Sequence, residues 1–554
     1  MRRGLPLLLF VLGACGNDTE QPSPTVQPMV GEAHTPIRFV DATRESGVRA
    51  IAWCGRPLKP HILESGGTGL ALFDYDRDGD LDLYVVCGWR LEGAEVRERG
   101  RNVLYRNRGD GVFDDVTKKA GVGDDGWGCG VAVGDVDGDG KPDLFVSNFG
   151  PDVLYRNRGD GTFERMANPP SIDGWSTGAV FFDADGDGDQ DLYLAAYIDC
   201  TLEQVLQAKP TLEWKGNNVM LGPFGLAGKK NRYFENVGAG KFVDATKRSG
   251  LTDVGEFYSF GVLALDVDND DDLDLYVAND SNPNYLYRND GKGVFKEVGL
   301  WSGAALDGEG AAQAGMGLAS GDYDGDGDPD IFVTNFALDA STLYQNVGDC
   351  LFADVSIKTS IKQPTFAPLS WGATFADFDR DGDLDLFVAN GHIYPQADVT
   401  PAANTTFRQT NLLLANDGGR FRDVSADAGP GLAVREASHG LAAGDIDGDG
   451  DIDLVVVNID AAPTVLRNES ASRGAWLLVD APGARRVEIT AGGRTQVAHR
   501  AIGGSFLSVS DTRFHFGLGV ARTIDRLLVI WPGGVRVERK DEAVNRVVRI
   551  DRPR

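Results

Sequence analysis

One string recurs seven times in this chain and narrows its fold more than any other feature. The pattern D-x-D-x-D-[G/D]-x-x-D-[L/I] begins at Asp74, Asp135, Asp183, Asp266, Asp322, Asp377 and Asp445. Its first, third, fifth and ninth positions are aspartate in every copy. The remaining members are Asp76, Asp78, Asp82; Asp137, Asp139, Asp143; Asp185, Asp187, Asp191; Asp268, Asp270, Asp274; Asp324, Asp326, Asp330; Asp379, Asp381, Asp385; and Asp447, Asp449, Asp453. Four carboxylates within nine residues repel one another unless a cation sits between them. A hard dication with oxygen ligands answers that repulsion, and Ca²⁺ suits flexible loops of this kind. The expectation is about seven structural Ca²⁺ ions. Position six is Gly in six copies and Asp271 in the other, which permits a sharp turn around an ion. Position seven varies and is Lys141 in one copy, so a backbone carbonyl is the expected donor there. An EF-hand needs a bidentate Glu at position twelve. Here that position holds Val85, Val146, Leu194, Val277, Val333, Val388 and Val456, which belong in strands.

The flanks set the architecture. A short apolar segment precedes each loop, as in Leu70–Phe73 and Val131–Gly134, and another follows, as in Leu83–Val86 and Leu454–Val457. A third segment recurs as Leu104-Tyr105-Arg106-Asn107 and Leu154-Tyr155-Arg156-Asn157, and a fourth as Phe113-Asp114-Asp115-Val116-Thr117. Four strands in each of seven repeats predict an all-β, seven-bladed β-propeller over residues 37–470. The seventh repeat lacks its fourth strand, and an orphan copy, Phe39-Val40-Asp41-Ala42-Thr43, precedes the first loop. Residues 37–43 are therefore expected to complete the last blade beside the strand around 464–468 and remove a free edge.

The formal charge of −29 disfavours a nucleic-acid partner. The 72 glycines in 554 residues are about twice the usual ~7% and fit a turn-rich chain. Residues 1–14, with Arg2, Arg3 and the apolar run Leu5–Leu12, read as a signal peptide. Leu12-Gly13-Ala14-Cys15 resembles a bacterial lipobox. That resemblance implies lipidation of Cys15, a tether over 15–36, and a cell-envelope lipoprotein of the outer membrane or cell surface held by its lipid anchor alone. Cys54, Cys87, Cys129, Cys200 and Cys350 fit no zinc spacing.

All seven acidic loops join a first strand to a second, so they share one face. Insertions at about 88–102, 196–231 and 391–411 fall on the other. Seven glycines, Gly69, Gly130, Gly178, Gly261, Gly317, Gly372 and Gly440, each lie five residues before a loop, where inner strands crowd the axis. His61, Trp89, Trp127, Trp175, Tyr258, Trp371, His392 and Tyr394 are placed on the insertion face as a possible ligand surface.

These loops resemble the FG-GAP/VCBS repeats of integrin α-type propellers. Residues 471–554 carry Ala501-Ile502-Gly503-Gly504, Phe516-Gly517-Leu518-Gly519 and Ile530-Trp531-Pro532-Gly533-Gly534, and resemble the ASPIC/UnbV domain, a small β-domain. The two together resemble the bacterial cartilage-acidic-protein-like family. In many relatives the blade 3 insertion, here 196–231, holds two cysteines; Cys200 matches one, but Met220-Leu221-Gly222-Pro223 replaces the other. The function expected is a calcium-stabilised binding, adhesion or scaffold module for a protein or glycan. The alternative is an enzyme with a pocket at the channel mouth or between propeller and C-terminal domain, with Glu64 or His439 as base and Arg435 or Tyr394 positioning substrate. No nucleophile elbow, HExxH motif or phosphate loop supports that alternative.

Overall fold

A computed structural model describes residues 36–553 except 224, 254, 256, 472 and 473; the side chain of Pro401 is also left undescribed. The expected signal peptide, Cys15 and nearly all of the expected tether lie outside these residues.

Among the described residues, seven antiparallel sheets each contain the four repeating strands in meander order. Blade 1 is built from Leu70–Phe73, Asp82–Val85, Val103–Asn107 and Phe113–Asp115. The acidic loop fills the first connection of every blade. In blade 7, Ser438–Gly444, Asp453–Asn458 and Thr464–Asn468 are joined by Phe39–Asp41. Phe39 faces Asn468 and Asp41 faces Leu466 in that pairing. Phe39 is fully buried and meets Phe378 edge-on at 5.3 Å, so the N-terminal strand is held by core packing as well as by its ladder.

The seven glycines let neighbouring backbones approach closely at the centre of the ring. Gly69 N–H donates to Cys129 O at 2.7 Å and Gly261 N–H to Met316 O at 3.1 Å. A Cβ on Gly178 would stand 2.3 Å from Phe260 O, and one on Gly317 would stand 1.9 Å from Trp371 O. On Gly440 it would meet Thr68 O at 2.6 Å, across the seam between blade 7 and blade 1. Any side chain at these positions would push neighbouring inner strands apart.

A second circle of contacts lies further out. The asparagine ending each third strand donates its side-chain amide twice. One bond goes to the carbonyl at loop position eight of its own blade. The other goes to the carbonyl at loop position two of the preceding blade. Asn157 reaches Tyr75 O at 2.8 Å, Asn346 reaches Val267 O at 2.8 Å and Asn416 reaches Tyr323 O at 2.8 Å. The series closes where Asn107 of blade 1 reaches Ile446 O of blade 7 at 2.8 Å. These asparagines are buried, so each bond forms where an unmet partner is costly.

The C-terminal domain is a two-sheet sandwich. One sheet pairs Phe514–Gly519, Ala475–Asp480 and Arg546–Arg549; the other is built on Arg494–His499, Arg486–Ala491, Thr523–Trp531 and Val535–Arg539. Its core includes Leu477, Val487, Ile489, Leu527 and Trp531. The boundary drawn at 470/471 does not separate two closed bodies. Residues 502–511 leave the sandwich and run into the propeller ring. Ile502 and Gly503 pair with Ala264 and Leu263 on the inner strand of blade 4. Ser505 N–H donates to Leu318 O, Val131 N–H to Leu507 O, Leu72 N–H to Val509 O and Asp511 N–H to Ala443 O. This strap thus touches blades 4, 5, 2, 1 and 7 in turn and fills the centre of the ring.

Replacing Asn346 with Ala removes bonds to Val267 O and Pro329 O and one accepted from Gly348 N–H. The expected loss is about 3 kcal/mol, read as a lower urea midpoint at unchanged m-value. A midpoint equal to that of the unaltered chain would show that the inter-blade bond contributes nothing.

Candidate metal centres

Each acidic loop is shaped by its own carboxylates. In blade 1, Asp74 accepts Asp78 N–H at 3.1 Å and Gly79 N–H at 3.0 Å, and Asp78 accepts Asp80 N–H at 3.1 Å. Blade 6 repeats this with Asp377 accepting Asp381 N–H and Gly382 N–H, and Asp381 accepting Asp383 N–H. Position six has positive φ throughout, from 73° at Asp271 to 100° at Gly79, which accounts for the glycine preference and shows Asp271 accepting the same strained turn.

The ninth-position aspartate ties the loop to the sheet. One oxygen of Asp330 accepts Tyr323 N–H at 3.2 Å, and the other accepts Asn346 N–H at 2.9 Å. Asp143 does the same with Val136 and Asn157, and Asp453 with Ile446 and Asn468. Burial drives these carboxyls upward, Asp82 to about 8, Asp143 and Asp191 to about 7 and Asp330 to about 9. Burial of this kind disfavours the charged form of the carboxyl, and a nearby cation would favour it.

The third position supplies the direct test of whether a cation fits. The Oδ1 atoms of Asp76, Asp137, Asp268, Asp324, Asp379 and Asp447 are shut off from solvent with no hydrogen-bond partner. Six of the seven loops therefore turn a bare carboxylate oxygen inward at one equivalent place. Potential ligand oxygens of Asp74, Asp76 and Asp78 lie within 4.8 Å of one another, as do those of Asp135, Asp137 and Asp143, and of Asp266, Asp268 and Asp274. These clusters of oxygen donors can hold metal ions. The outer oxygen of the third-position carboxylate is often met by the third strand. Arg106 reaches Asp76 at 2.9 Å, Arg288 reaches Asp268 at 2.6 Å and Gln345 reaches Asp324 at 2.6 Å.

The C-terminal domain packs over this face. His499 Nε2 lies 2.8 Å from Gly327 O in the blade 5 loop, and His515 Nε2 lies 3.0 Å from Gly450 O in the blade 7 loop. Arg494 pairs with Asp383 at 2.5 Å in blade 6. Residues 471–554 hold 15 Lys+Arg against 8 Asp+Glu, a net +7 set on a remainder of −36. A cavity of about 210 Å³ lies between the two, lined in part by Asp322, Asp377, Arg494, His499, Arg513 and His515.

The expected ligand surface on the opposite side is closed. Trp89, Trp127, Trp175, Tyr258, Trp371 and Tyr394 belong to one buried cluster with Phe506 of the strap. Trp371 meets Phe506 edge-on at 4.7 Å and stacks on His439 at 3.9 Å. The blade 3 insertion, residues 196–231, covers His392 and Tyr394 with Trp214, at 5.6 and 5.2 Å between rings. Large aromatic surfaces bury when covering segments are available, and here the insertions and the strap supply the cover. His61 is half-buried and caps a 3₁₀ turn by accepting Leu63 N–H at 3.1 Å.

The three candidates for catalysis do not meet at an open pocket. Glu64 is fully buried and pairs with Arg56 at 2.5 Å. His439 is fully buried between the backbone oxygens of Ala437 and Ser65, at 3.2 and 3.1 Å. Arg435 is exposed and bonds Thr406 Oγ1 at 2.8 Å. The five described cysteines carry free thiols; burial raises Cys54, Cys87, Cys200 and Cys350 to about 12 and Cys129 beyond that, which disfavours the nucleophilic thiolate.

The sequence reading missed the asparagine circle, the strap and the two histidines over the loops. The strap has a visible sign: Ala501–Ser510 contains no charged residue, which is unusual for an exposed connection.

The ASPIC and UnbV family model matches residues 479–554. The FG-GAP-like repeat model matches 74–146, 135–194, 266–333 and 322–388. The chain is 29% identical to cartilage acidic protein 1 of Mus musculus over 299 residues, covering 50% of this chain and 42% of that protein. For the Homo sapiens protein the identity is 29% over 301 residues, covering 51% and 42%. The chain thus spans less than half the length of these relatives. Among solved structures, a lectin of Agrocybe aegerita that recognises non-reducing terminal N-acetylglucosamine aligns with TM-score 0.38 and 18% identity, covering 64% of this chain and 81% of the lectin. BBS1N, solved in complex with ARL6DN, aligns with TM-score 0.41 and 10% identity, covering 79% and 98%.

His392 accepts Tyr394 N–H on Nδ1 at 3.0 Å, and burial holds its pKa down at about 4. The unfolded chain takes up this proton near pH 6.5 while the native chain does not. This histidine therefore withdraws stability as pH falls from about 6.5 to about 4, and His392→Gln should flatten that part of the slope. A ring proton resonance of His392 titrating near pH 6.5 in the native chain would contradict this.

Proposed function

We propose that this chain, which joins FG-GAP-like repeats to an ASPIC and UnbV domain as a homologue of cartilage acidic protein 1, is an extracytoplasmic, calcium-loaded binding and scaffold module. The observation that carries the calcium reading is the inward, unpartnered Oδ1 of the third aspartate in six loops. An all-oxygen donor set on a flexible loop favours Ca²⁺ over softer or more rigidly octahedral cations. Asp at positions one, three, five and nine would hold each of about seven ions, with a backbone carbonyl at position seven. The ion would supply charge neutralisation, turning binding energy into folding energy.

Ligand contact is assigned to the outer surface of the insertions. They form a layer of their own on the face away from the cation loops. Lys215 bonds Ala403 O at 2.8 Å and Asn217 bonds Thr400 at 2.6 Å, and Arg56, from the segment before blade 1, bonds Leu206 O at 3.1 Å. A rigid ring carrying long, cross-braced loops suits recognition of a protein or glycan. The enzyme reading gains no support from Glu64, His439 and Arg435, which face different partners. Cys15 is proposed as the lipidated residue that anchors the chain to the cell envelope, at the outer membrane or cell surface of a bacterium. Among the described residues no helix is long and apolar enough to cross a membrane.

Chelation with EDTA should lower the melting temperature by ~10 °C or more, because several tightly held ions each stabilise only the native state. Added Ca²⁺ should restore it and equimolar Mg²⁺ should not. Melting unchanged by EDTA would refute the structural role of calcium.

A further inference from the structure

The seven loops are alike in sequence but not in surroundings. At Gly79, Gly140 and Gly188, position six of blades 1 to 3, an added Cβ would meet nothing within 4 Å. At Gly382 of blade 6 it would meet Arg494 at 2.7 Å, and at Gly450 of blade 7 the ring of Trp476 at 2.0 Å. Asp377, Asp379 and Arg380 of blade 6 are 3, 8 and 7% exposed, and Asp445 and Asp451 of blade 7 are 7 and 8% exposed. Asp379 Oδ1 combines that burial with the lack of any hydrogen-bond partner.

The cover comes from the C-terminal domain. Gly517 lies so close to Asp377 that a Cβ on it would stand 1.8 Å from Oδ2. Gly519 N–H donates to Arg380 O at 2.9 Å. Gln496 braces the same turn through Gly517 O at 2.8 Å. Arg380 links the two loops, reaching Asp449 O at 3.0 Å and Asp451 at 2.7 Å. His515 and Trp476 close over Gly450.

We propose that the C-terminal domain gates the cation sites of blades 6 and 7, so that their ions exchange only when the domain lifts, while those of blades 1 and 2 exchange freely. This inference rests on the calcium reading above and divides its sites into an open class and a trapped class. Solvent-exposed loops need no opening event for exchange, whereas a covered site must wait for a sub-global one. Gly517, Arg494 and His515 are positioning residues here; none donates to an ion.

The test uses the full chain loaded with ⁴⁵Ca²⁺ and chased with excess unlabelled Ca²⁺, following retained label with time. The expected decay is biphasic, with a slow phase of about two ions per chain. Arg494→Ala removes an exposed contact and should leave folding intact, while Gly517→Ala wedges the domain upward. Each should speed the slow phase about tenfold or more, the effect of losing one charge-assisted contact. Asp379→Asn should remove label from the slow phase and Asp137→Asn from the fast phase. Bound label leaving in one phase would overturn the gate and leave calcium binding standing. A slow phase unmoved by both Arg494→Ala and Gly517→Ala would also overturn it. No bound label at any time would overturn both.

Discussion

The fold depends on what becomes of four carboxylates packed into each of seven nine-residue turns. The ninth one accepts two backbone N–H groups, one from its loop and one from the third strand, as Asp330 does with Tyr323 and Asn346. The asparagine giving that second bond extends its side chain to the loop of the preceding blade. Carboxylate, asparagine and neighbouring loop therefore form one repeated connection, closed into a circle by Asn107 and Ile446 O. A disturbance at one loop is passed to the next through buried hydrogen bonds, where an unmet group costs about 1–3 kcal/mol. The loops are thus part of how the blades are joined, beyond being ornaments on hairpins.

The C-terminal domain is bound into the same arrangement from both ends. Its sandwich is basic and covers acidic loops, a pairing that lowers the self-repulsion of a strongly acidic ring. Its strap passes through the ring centre and places Phe506 among Phe260, Trp371 and His439. Gly503 and Gly504, at φ 85° and 83°, give the backbone the left-handed turn it takes beside blade 4. The centre of many propellers is open; here it is a packed core built by a segment that follows the last blade by about thirty residues.

Much of this was legible because repetition exposes it. Loop positions one, three, five and nine, the position-six turn and the crowded axial glycines follow from spacing and steric argument, and the geometry around Gly178 and Gly317 agrees with that argument. The strand Phe39–Asp41 is legible because the seventh repeat lacks its fourth member. What sequence spacing does not reveal is cover. Spacing sets Trp127, Trp175 and Trp371 on the insertion side as candidate ligand residues, but they are buried with Phe506 in one cluster, and that depends on distant segments meeting in space. Glu64 is a candidate base in the sequence alone, since Arg56, eight residues before it, is recognisable as its partner only once the turn between them is formed. The motif Ala501-Ile502-Gly503-Gly504 was readable as a family mark, yet its role as a strap is a tertiary fact.

The central claim is that divalent cations occupy the acidic loops and are bound through the third-position aspartate. An anomalous difference map from crystals of the chain grown with Ca²⁺ and soaked in Tb³⁺ tests it most directly. The account predicts a peak within each loop, in contact with Oδ1 of Asp76, Asp137, Asp268, Asp324, Asp379 and Asp447, on a closed ring. Featureless density inside those loops, with the carboxylates paired only to backbone, would contradict it.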